Sequence, residues 1–264
     1  MTPAVRIAVL GLGEAGGEIA RDLVAAGADV RGFDPLLTPP PGVLARRDDA
    51  EAVRDADIVL SVNSAHDAVP ALLGSLAALP EGVLWADLNT TAPAVKRELA
   101  ERAAGRGVAV VDVALLAPVP GKGLRTPMLV AGVGAHRYAQ VMGALGAEVT
   151  VQDGPAGAAI ARKLLRSVFY KGLAAAVVEA LAAAEAAGCG DWLRANIRAE
   201  LAGFDEQTLD RLVDGTRRHA RRRADEMAAA SAQLRGLAVP PRVTDAALDL
   251  LTALRDRGDI SSRE

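Results

Sequence analysis

The feature that most constrains the fold is an apolar run followed directly by closely spaced glycines and a helical pattern. Residues 5–10 read VRIAVL, which is typical of a strand buried in a parallel sheet. The segment GLGEAG follows at residues 11–16, and residues 17–26 have the composition of a helix. A second strand pattern, residues 29–33, ends at Asp34. This order predicts a β-α-β unit at the start of an α/β domain.

The three glycines have the spacing G-x-G-x-x-G, and each has a separate physical role. Gly11 allows a tight turn, Gly13 lets the backbone approach a pyrophosphate, and Gly16 lets the helix pack closely on the strand. The N–H groups of the first helical turn and the helix dipole would then hold the phosphates of a dinucleotide. The predicted phosphate site consists of Gly11, Leu12, Gly13, Glu14, Ala15 and Gly16.

Asp34 lies where a carboxylate can accept hydrogen bonds from the hydroxyls of the adenosine ribose. A carboxylate there repels a 2′-phosphate, and no Arg or Lys follows until Arg46. The sequence therefore favours NAD as the cofactor, with NADP as a possibility. The alternative is a glycine-rich turn with an empty pocket.

Five more strands are predicted, at residues 57–62, 83–88, 108–113, 128–131 and 149–152, and polar residues follow the first two of them. Asn63 and Asn89 come after the first two of these, at the carboxyl edge of the sheet, where ligands bind in open α/β folds. Asn89 and Thr90 could contact nicotinamide or its ribose. They could equally cap the helix that follows, a role that we favour for Thr91.

A run of strong helix formers from Gly154 to Gly188 is far longer than an average helix. Strand and helix patterns alternate before it, and only helices are predicted after it, at residues 191–201, 205–235 and 244–257. We therefore predict a Rossmann domain at residues 1–153 and an all-α domain at residues 154–264 that begins with this long interdomain helix. Because the helix is apolar almost all round, it is predicted to be buried.

Four polar residues share one face of the long helix. Lys163, Ser167, Tyr170 and Lys171 follow i, i+4, i+7, i+8 spacing. This stripe either faces a cleft or cofactor, or is solvated where the helix leaves the first domain.

Composition excludes several classes of function. The net charge of −3 gives no reason to expect electrostatic capture of nucleic acid. Cys189 is the only cysteine, so no internal disulfide is possible, and a reducing, cytoplasmic location is expected. No signal peptide is recognisable, and Glu179 and Glu185 interrupt the apolar run, which argues against a membrane span. We expect no metal site.

Four motifs occur in order along the chain, namely GLGEAGG, NTTAP, the loop after VVDVALLAPVP, and GPAGAAIARK on the long helix. Together they resemble the β-hydroxyacid dehydrogenase superfamily, which includes 6-phosphogluconate and 3-hydroxyisobutyrate dehydrogenases and has the imine reductases as cousins. The stretches KLLRSVFYKG and RLVDGTRRHARRRADEM are similar to a phosphogluconate-dehydrogenase-like branch with its own C-terminal helical domain. The resemblance covers essentially the whole chain.

The resemblance implies that Lys163 is the catalytic group, with Gly154 and Gly157 in the motif positions before it. In that role Lys163 would take the proton of a substrate hydroxyl as hydride leaves for nicotinamide, although it could instead extend beside the cofactor phosphates. Ser167 stands where the family has an asparagine.

Two further family motifs are altered. Leu116-Ala117-Pro118 replaces the Ser-Gly-Gly that binds a substrate carboxylate, and Asp225-Glu226 replaces a Lys-Asp pair. His219 could enter the site as an acid–base group, although a structural role is favoured.

The leading hypothesis is therefore an NAD(P)-dependent oxidoreductase acting on a small hydroxy-acid-like or related polar substrate. The alternatives are a reductase of C=N bonds and a dinucleotide-binding protein without catalysis. The resemblance and the small helical domain also predict a homodimer formed through the C-terminal helices.

Overall fold

The computed structural model describes residues 4–261, and the side chains of residues 4–257. The chain divides into two compact units, of which one ends at Arg166 and the other begins at Ser167. The domain boundary predicted after residue 153 precedes this division and stays a prediction.

The first unit contains one mostly parallel sheet of eight strands in the order β3-β2-β1-β4-β5-β6-β7-β8. The strands are β1 (Arg6–Leu10), β2 (Asp29–Phe33), β3 (Leu44–Ala45), β4 (Ile58–Ser61), β5 (Leu84–Asp87), β6 (Ala109–Leu115), β7 (Met128–Ala131) and β8 (Val149–Val151). Only the β6–β7 pair is antiparallel among the described strands. The predicted strands are all present, and the short edge strand β3 is an addition that was not predicted.

Helices cover both faces of the sheet. They are α1 (Glu14–Ala25), α2 (Asp49–Val53), α3 (Ala68–Ser75), α4 (Pro93–Ala104) and α5 (Ala135–Ala144). Side chains of β1 alternate between two cores, with Val9 in the core that contains Ile19 of α1 and Leu10 in the core that contains Leu99 of α4. The predicted α/β Rossmann class is therefore confirmed, and it places the carboxyl ends of β1, β4, β5 and β6 along one edge.

The remaining helices are α6 (Ala158–Ala186), α7 (Gly190–Ala202), α8 (Thr208–Arg218), α9 (Ala220–Gly236) and α10 (Arg242–Ser261). The single helix predicted over residues 205–235 is wrong, because non-helical angles at His219 (φ −114°, ψ 25°) separate α8 from α9. The predicted stop at Gly258 is also wrong, since α10 continues through it. A glycine costs only about 1 kcal/mol inside a helix, so it does not by itself end one.

The apolar surface of α6 is more exposed than predicted. Leu165, Val168 and Val178 expose 72%, 74% and 69% of their area. By length and composition alone α6 could cross a membrane. One of its acidic residues has a structural role, since the Glu179 carboxylate accepts hydrogen bonds from the N–H groups of Val243 and Thr244 at the start of α10. Desolvation raises the pKa of Glu179, but the Thr244 hydroxyl and these N–H groups hold it below its usual value.

Candidate active site

The glycine turn between β1 and α1 has the shape that its spacing predicts. Gly11 has φ +90°, and a Cβ there would lie 2.5 Å from the carbonyl oxygen of Val62. A Cβ on Gly16 would lie 2.0 Å from the carbonyl oxygen of Gly11. A Cβ on Gly13 would meet nothing within 4 Å. Close backbone contacts therefore allow only glycine at positions 11 and 16. Gly13 instead borders open space beside the N-terminus of α1, and this space fits the approach of a pyrophosphate.

The carboxylate of Asp34 is hydrogen-bonded to the same turn. Its Oδ2 accepts the N–H of Leu12 at 2.8 Å, and its Oδ1 accepts the N–H groups of Leu36 and Leu37 at 2.8 and 3.0 Å. Desolvation raises the pKa of Asp34, but the three N–H groups outweigh this effect and leave the pKa lowered. The ionised carboxylate thus stabilises the turn at neutral pH, and this contribution is lost as the pH falls through the lowered pKa. The contact of Asp34 with a ribose stays a prediction.

The hydroxyl of Ser61, in β4, accepts hydrogen bonds from both asparagines that were predicted as cofactor-binding residues. Ser61 Oγ accepts from Asn63 Nδ2 at 3.3 Å and from Asn89 Nδ2 at 3.0 Å. Asn89 Nδ2 also donates to Asp87, while Asn89 Oδ1 is buried without a partner among the described residues. An unpaired buried acceptor at this edge fits a cofactor group that donates a hydrogen bond. The structure therefore brings Asn63 and Asn89 together at the carboxyl edge of the sheet, and their contact with a cofactor stays a prediction.

Sequence reasoning missed the ionic cluster beneath this edge. Lys96 of α4 is completely buried, and its Nζ lies 2.7 Å from Asp87 Oδ2 and 3.4 Å from Asp112 Oδ1. Both aspartates are also completely buried. The signal in the sequence was an aspartate inside each of two apolar strand patterns, since a buried carboxylate needs a cation or several donors.

Asp112 connects this cluster to the start of α6. Its Oδ2 accepts three backbone N–H groups, those of Gly157, Ala159 and Ile160, at 2.9 to 3.1 Å. These are donors that the first turn of a helix leaves unpaired. Gly157 has φ +100°, and a Cβ there would lie 2.7 Å from the carbonyl oxygen of Pro93. The beginning of α6 is thus held against β6 and α4.

Lys163 lies one and a half turns further along α6. Its Nζ donates to Thr90 Oγ1 at 2.8 Å, and Thr90 lies in the loop after β5, next to Asn89. Ser167 follows one turn later and is half-buried. Thr91 does not cap α4 as predicted, because Ala92 occupies the N-cap position and the Thr91 hydroxyl is buried without a described partner.

In the segment after β6, neither Leu116 nor Pro118 offers a backbone N–H to a ligand. The N–H of Leu116 donates to the carbonyl oxygen of Pro127 at 2.8 Å, and Pro118 has no N–H. The carbonyl oxygen of Leu116 accepts a hydrogen bond from Arg166 Nη1 of α6 at 2.8 Å.

Comparison with known proteins agrees with this geometry. The sequence profile of the NAD binding domain of 6-phosphogluconate dehydrogenase matches residues 6–151, and that of a domain of unknown function, DUF1932, matches residues 184–254. The probable 3-hydroxyisobutyrate dehydrogenase of Mycobacterium tuberculosis (strain ATCC 25618 / H37Rv) is 32% identical over 195 residues. The alignment covers 69% of this chain and 65% of that relative's length.

Two other proteins extend the comparison. The NAD-dependent L-serine dehydrogenase of Pseudomonas aeruginosa is 28% identical over 208 residues, which cover 74% of this chain and 68% of the relative. The imine reductase of Streptomyces aurantiacus superposes with a TM-score of 0.79 at 17% identity, over 96% of this chain and 95% of that one, which shows a shared fold. Because the profile match spans more than half of the sequence and includes the glycine turn, this chain belongs to the β-hydroxyacid dehydrogenase superfamily and has the NAD-binding domain of 6-phosphogluconate dehydrogenase.

Proposed function

We propose that this protein is an NAD(P)-dependent oxidoreductase that transfers hydride between nicotinamide and a small polar substrate carrying a hydroxyl group. The observation that carries the proposal is the position of the Lys163 ammonium, 2.8 Å from Thr90 Oγ1 at the carboxyl edge of the sheet. The glycine turn and Asn89 lie at that same edge. Bound nicotinamide supplies the acceptor or donor of the hydride.

Lys163 moves the proton in this proposal. During oxidation its neutral Nζ accepts the proton of the substrate hydroxyl while the C–H bond of the same carbon breaks and hydride departs. In the reverse direction the ammonium donates a proton to the oxygen of the developing alkoxide. Thr90 holds the amine in place by accepting one of its hydrogen bonds, and Ser167 is the second polar group proposed to contact the substrate.

Asp34 sets the proposed cofactor preference. Its carboxylate is held at the end of β2 by three backbone N–H groups, so it presents a fixed negative charge where the adenosine ribose is proposed to bind. A 2′-phosphate there would be repelled, which favours NAD over NADP.

Substitution of Gly13 tests the cofactor site without disturbing the fold. Gly13→Ala is expected to leave the melting temperature unchanged, because the added Cβ meets no protein atom within 4 Å. It is expected to weaken NADH binding by about 10-fold or more, because the methyl group occupies the space that the pyrophosphate needs. Gly74→Ala, in α3 and equally open, is the matched control. Isothermal titration of NADH into both variants measures the difference, and equal affinities would contradict the proposed site.

The activity itself is tested with a library of hydroxylated metabolites, by following the absorbance of the reduced nicotinamide. Turnover of a hydroxylated compound that Gly13→Ala lowers at limiting cofactor concentration supports the proposal. Tight NADH binding with no turnover of any compound would favour a dinucleotide-binding protein without catalysis.

Reduction of a C=N bond is the second candidate. It is favoured by the missing backbone donors at Leu116 and Pro118 and by the shared fold with an imine reductase. A panel of cyclic imines offered with NADH and with NADPH separates the candidates. Turnover of imines but not of carbonyl compounds would replace the leading proposal.

A cytoplasmic homodimer is the proposed assembly, and the single cysteine agrees with a reducing compartment. The exposed apolar side chains of α6, including Leu165 and Val168, support a partner surface on this helix. Light scattering at micromolar concentration is expected to give the mass of a dimer, and Val168→Glu is expected to give a monomer. A monomeric wild-type protein would contradict this assembly.

A further inference from the structure

The buried ammonium of Lys96 is connected to the candidate cofactor site through one carboxylate. Its Nζ lies 2.7 Å from Asp87 Oδ2 and also donates to the carbonyl oxygen of Asp87 at 2.7 Å. Lys96 therefore holds both the side chain and the main chain of the last residue of β5. The other carboxylate oxygen, Asp87 Oδ1, accepts a hydrogen bond from Asn89 Nδ2. Asp87 thus joins the buried cation to Asn89.

This carboxylate constrains the orientation of the Asn89 side chain. An ionised carboxylate only accepts hydrogen bonds, whereas a carboxamide has a donor NH2 group and an acceptor oxygen. The NH2 group of Asn89 therefore has to face Asp87, and it also donates to Ser61 Oγ at 3.0 Å. Asn89 Oδ1 is then turned away from Asp87, and it is buried without a partner among the described residues. It can accept a hydrogen bond from an N–H or O–H group of a ligand.

We propose that Asp87 and Lys96 are positioning residues of the cofactor site, which fix Asn89 Oδ1 as the acceptor for an N–H or O–H group of the bound dinucleotide. This inference rests on the proposed function, because it takes the dinucleotide to bind beside Asn89. Asp87 and Lys96 act through Asn89 and do not themselves touch the cofactor. Replacing a whole buried ion pair by neutral groups of similar shape often costs little stability, so stability alone does not explain why this pair lies beneath the site.

Hydrogen exchange of the Asn89 side chain tests this orientation without cofactor or turnover. The sequence has three asparagines, Asn63, Asn89 and Asn196, so labelling asparagine with nitrogen-15 gives few side-chain signals in an NMR spectrum. The NH2 group of Asn89 is expected to exchange at least about 10-fold more slowly than that of Asn196, which is exposed. Asp87→Asn is expected to remove this difference, because a carboxamide at position 87 no longer requires a donor from Asn89. Asn89→Ala, alone and together with Asp87→Asn, assigns the signal.

Isothermal titration of NADH measures the effect on the cofactor. Asp87→Asn is expected to weaken NADH binding by about 5-fold, the difference between a charge-assisted and a neutral hydrogen bond. In the Asn89→Ala background the same substitution is expected to add a loss of less than about twofold, because Asp87 acts through Asn89. Equal losses in the two backgrounds would overturn the inference.

Asp112 provides the matched control, because it belongs to the same buried cluster. Its Oδ1 lies 3.4 Å from Lys96 Nζ, but its Oδ2 accepts its hydrogen bonds from the start of α6. Asp112→Asn removes the same charge and is expected to change NADH affinity and Asn89 exchange by less than about twofold. Equal effects of Asp87→Asn and Asp112→Asn would show that only the charge or stability of the cluster matters, which contradicts the positioning role.

Removing both partners of the ion pair separates positioning from stability. Lys96→Met combined with Asp87→Asn is expected to unfold at a higher urea concentration than Lys96→Met alone, because Asp87 is no longer left as an unpaired buried charge. Its NADH affinity is expected to stay as low as that of Asp87→Asn. Recovery of wild-type NADH affinity together with stability would contradict the positioning role.

The two proposals fail in different ways. Wild-type protein that does not bind NADH would overturn the proposed function, and with it the assignment of Asn89 Oδ1 to a cofactor, whatever the exchange rate of Asn89. Tight NADH binding that is equal in the wild-type protein and in Asp87→Asn would overturn the positioning role and leave the proposed function standing.

Discussion

Lys163→Met is expected to lower kcat by about 100- to 10,000-fold, the usual contribution of a positioned acid–base group. The side chain is half-buried at the sheet edge, and methionine keeps most of its length and volume. The melting temperature and NADH affinity are therefore expected to change little. Steady-state kinetics on the substrate found by screening, together with NADH titration, measure the two effects separately.

Lys163→Arg separates proton transfer from simple charge. Arginine keeps the positive charge but does not lose a proton in proteins, so it is expected to be nearly as inactive as Lys163→Met. Arg162 is the exposed neighbour of Lys163 on the same helix, so Arg162→Met serves as the control and is expected to retain activity. Near wild-type kcat in Lys163→Arg would show that Lys163 supplies charge rather than proton transfer.

Lys96→Met is expected to lower the free energy of unfolding of the first unit by about 3–5 kcal/mol, because it leaves two buried carboxylates without their cation. Asp87 would lose an ion pair of 2.7 Å, and Asp112 one of 3.4 Å. Trp85, which is fully buried in β5, reports on this unit by its fluorescence during urea unfolding, with Trp192 replaced by phenylalanine in every variant.

The control for Lys96 lies on the same helix. Arg102 pairs with Glu98 one turn away, and both side chains are nearly half exposed. Arg102→Met removes the same charge and is expected to cost less than about 1 kcal/mol, as exposed pairs do. If Lys96→Met unfolds at the same urea concentration as Arg102→Met, the buried cluster does not stabilise the unit as inferred.

The sequence was sufficient to predict the Rossmann unit because its signals are local. The glycine spacing, the apolar strands and the residues that follow them each report on a few neighbouring positions. Thus Gly11 and Gly16 have the close contacts that their motif requires, and Asn63 and Asn89 share a partner in Ser61.

The supporting structure of the candidate site was not predictable in the same way. Lys96 is on a helix with many charged residues, and only the fold shows that it points between two strands. The contact of Arg166 with Leu116 joins segments fifty residues apart in sequence. The predictions of helix ends were also wrong where the local signals were weak, as at His219 and Gly258.

The absence of a side chain at Gly157 has a consequence for how such enzymes could diversify. A Cβ on Gly157 would lie 2.7 Å from the carbonyl oxygen of Pro93, so the helix that carries Lys163 packs closely on the first residue of α4, three residues after Thr90. Substitutions in the segment after β6 leave this contact intact, so they are expected to change what is bound without shifting Lys163. We therefore expect descendants of this chain with new substrates to keep Gly157 and to vary in the segment after β6.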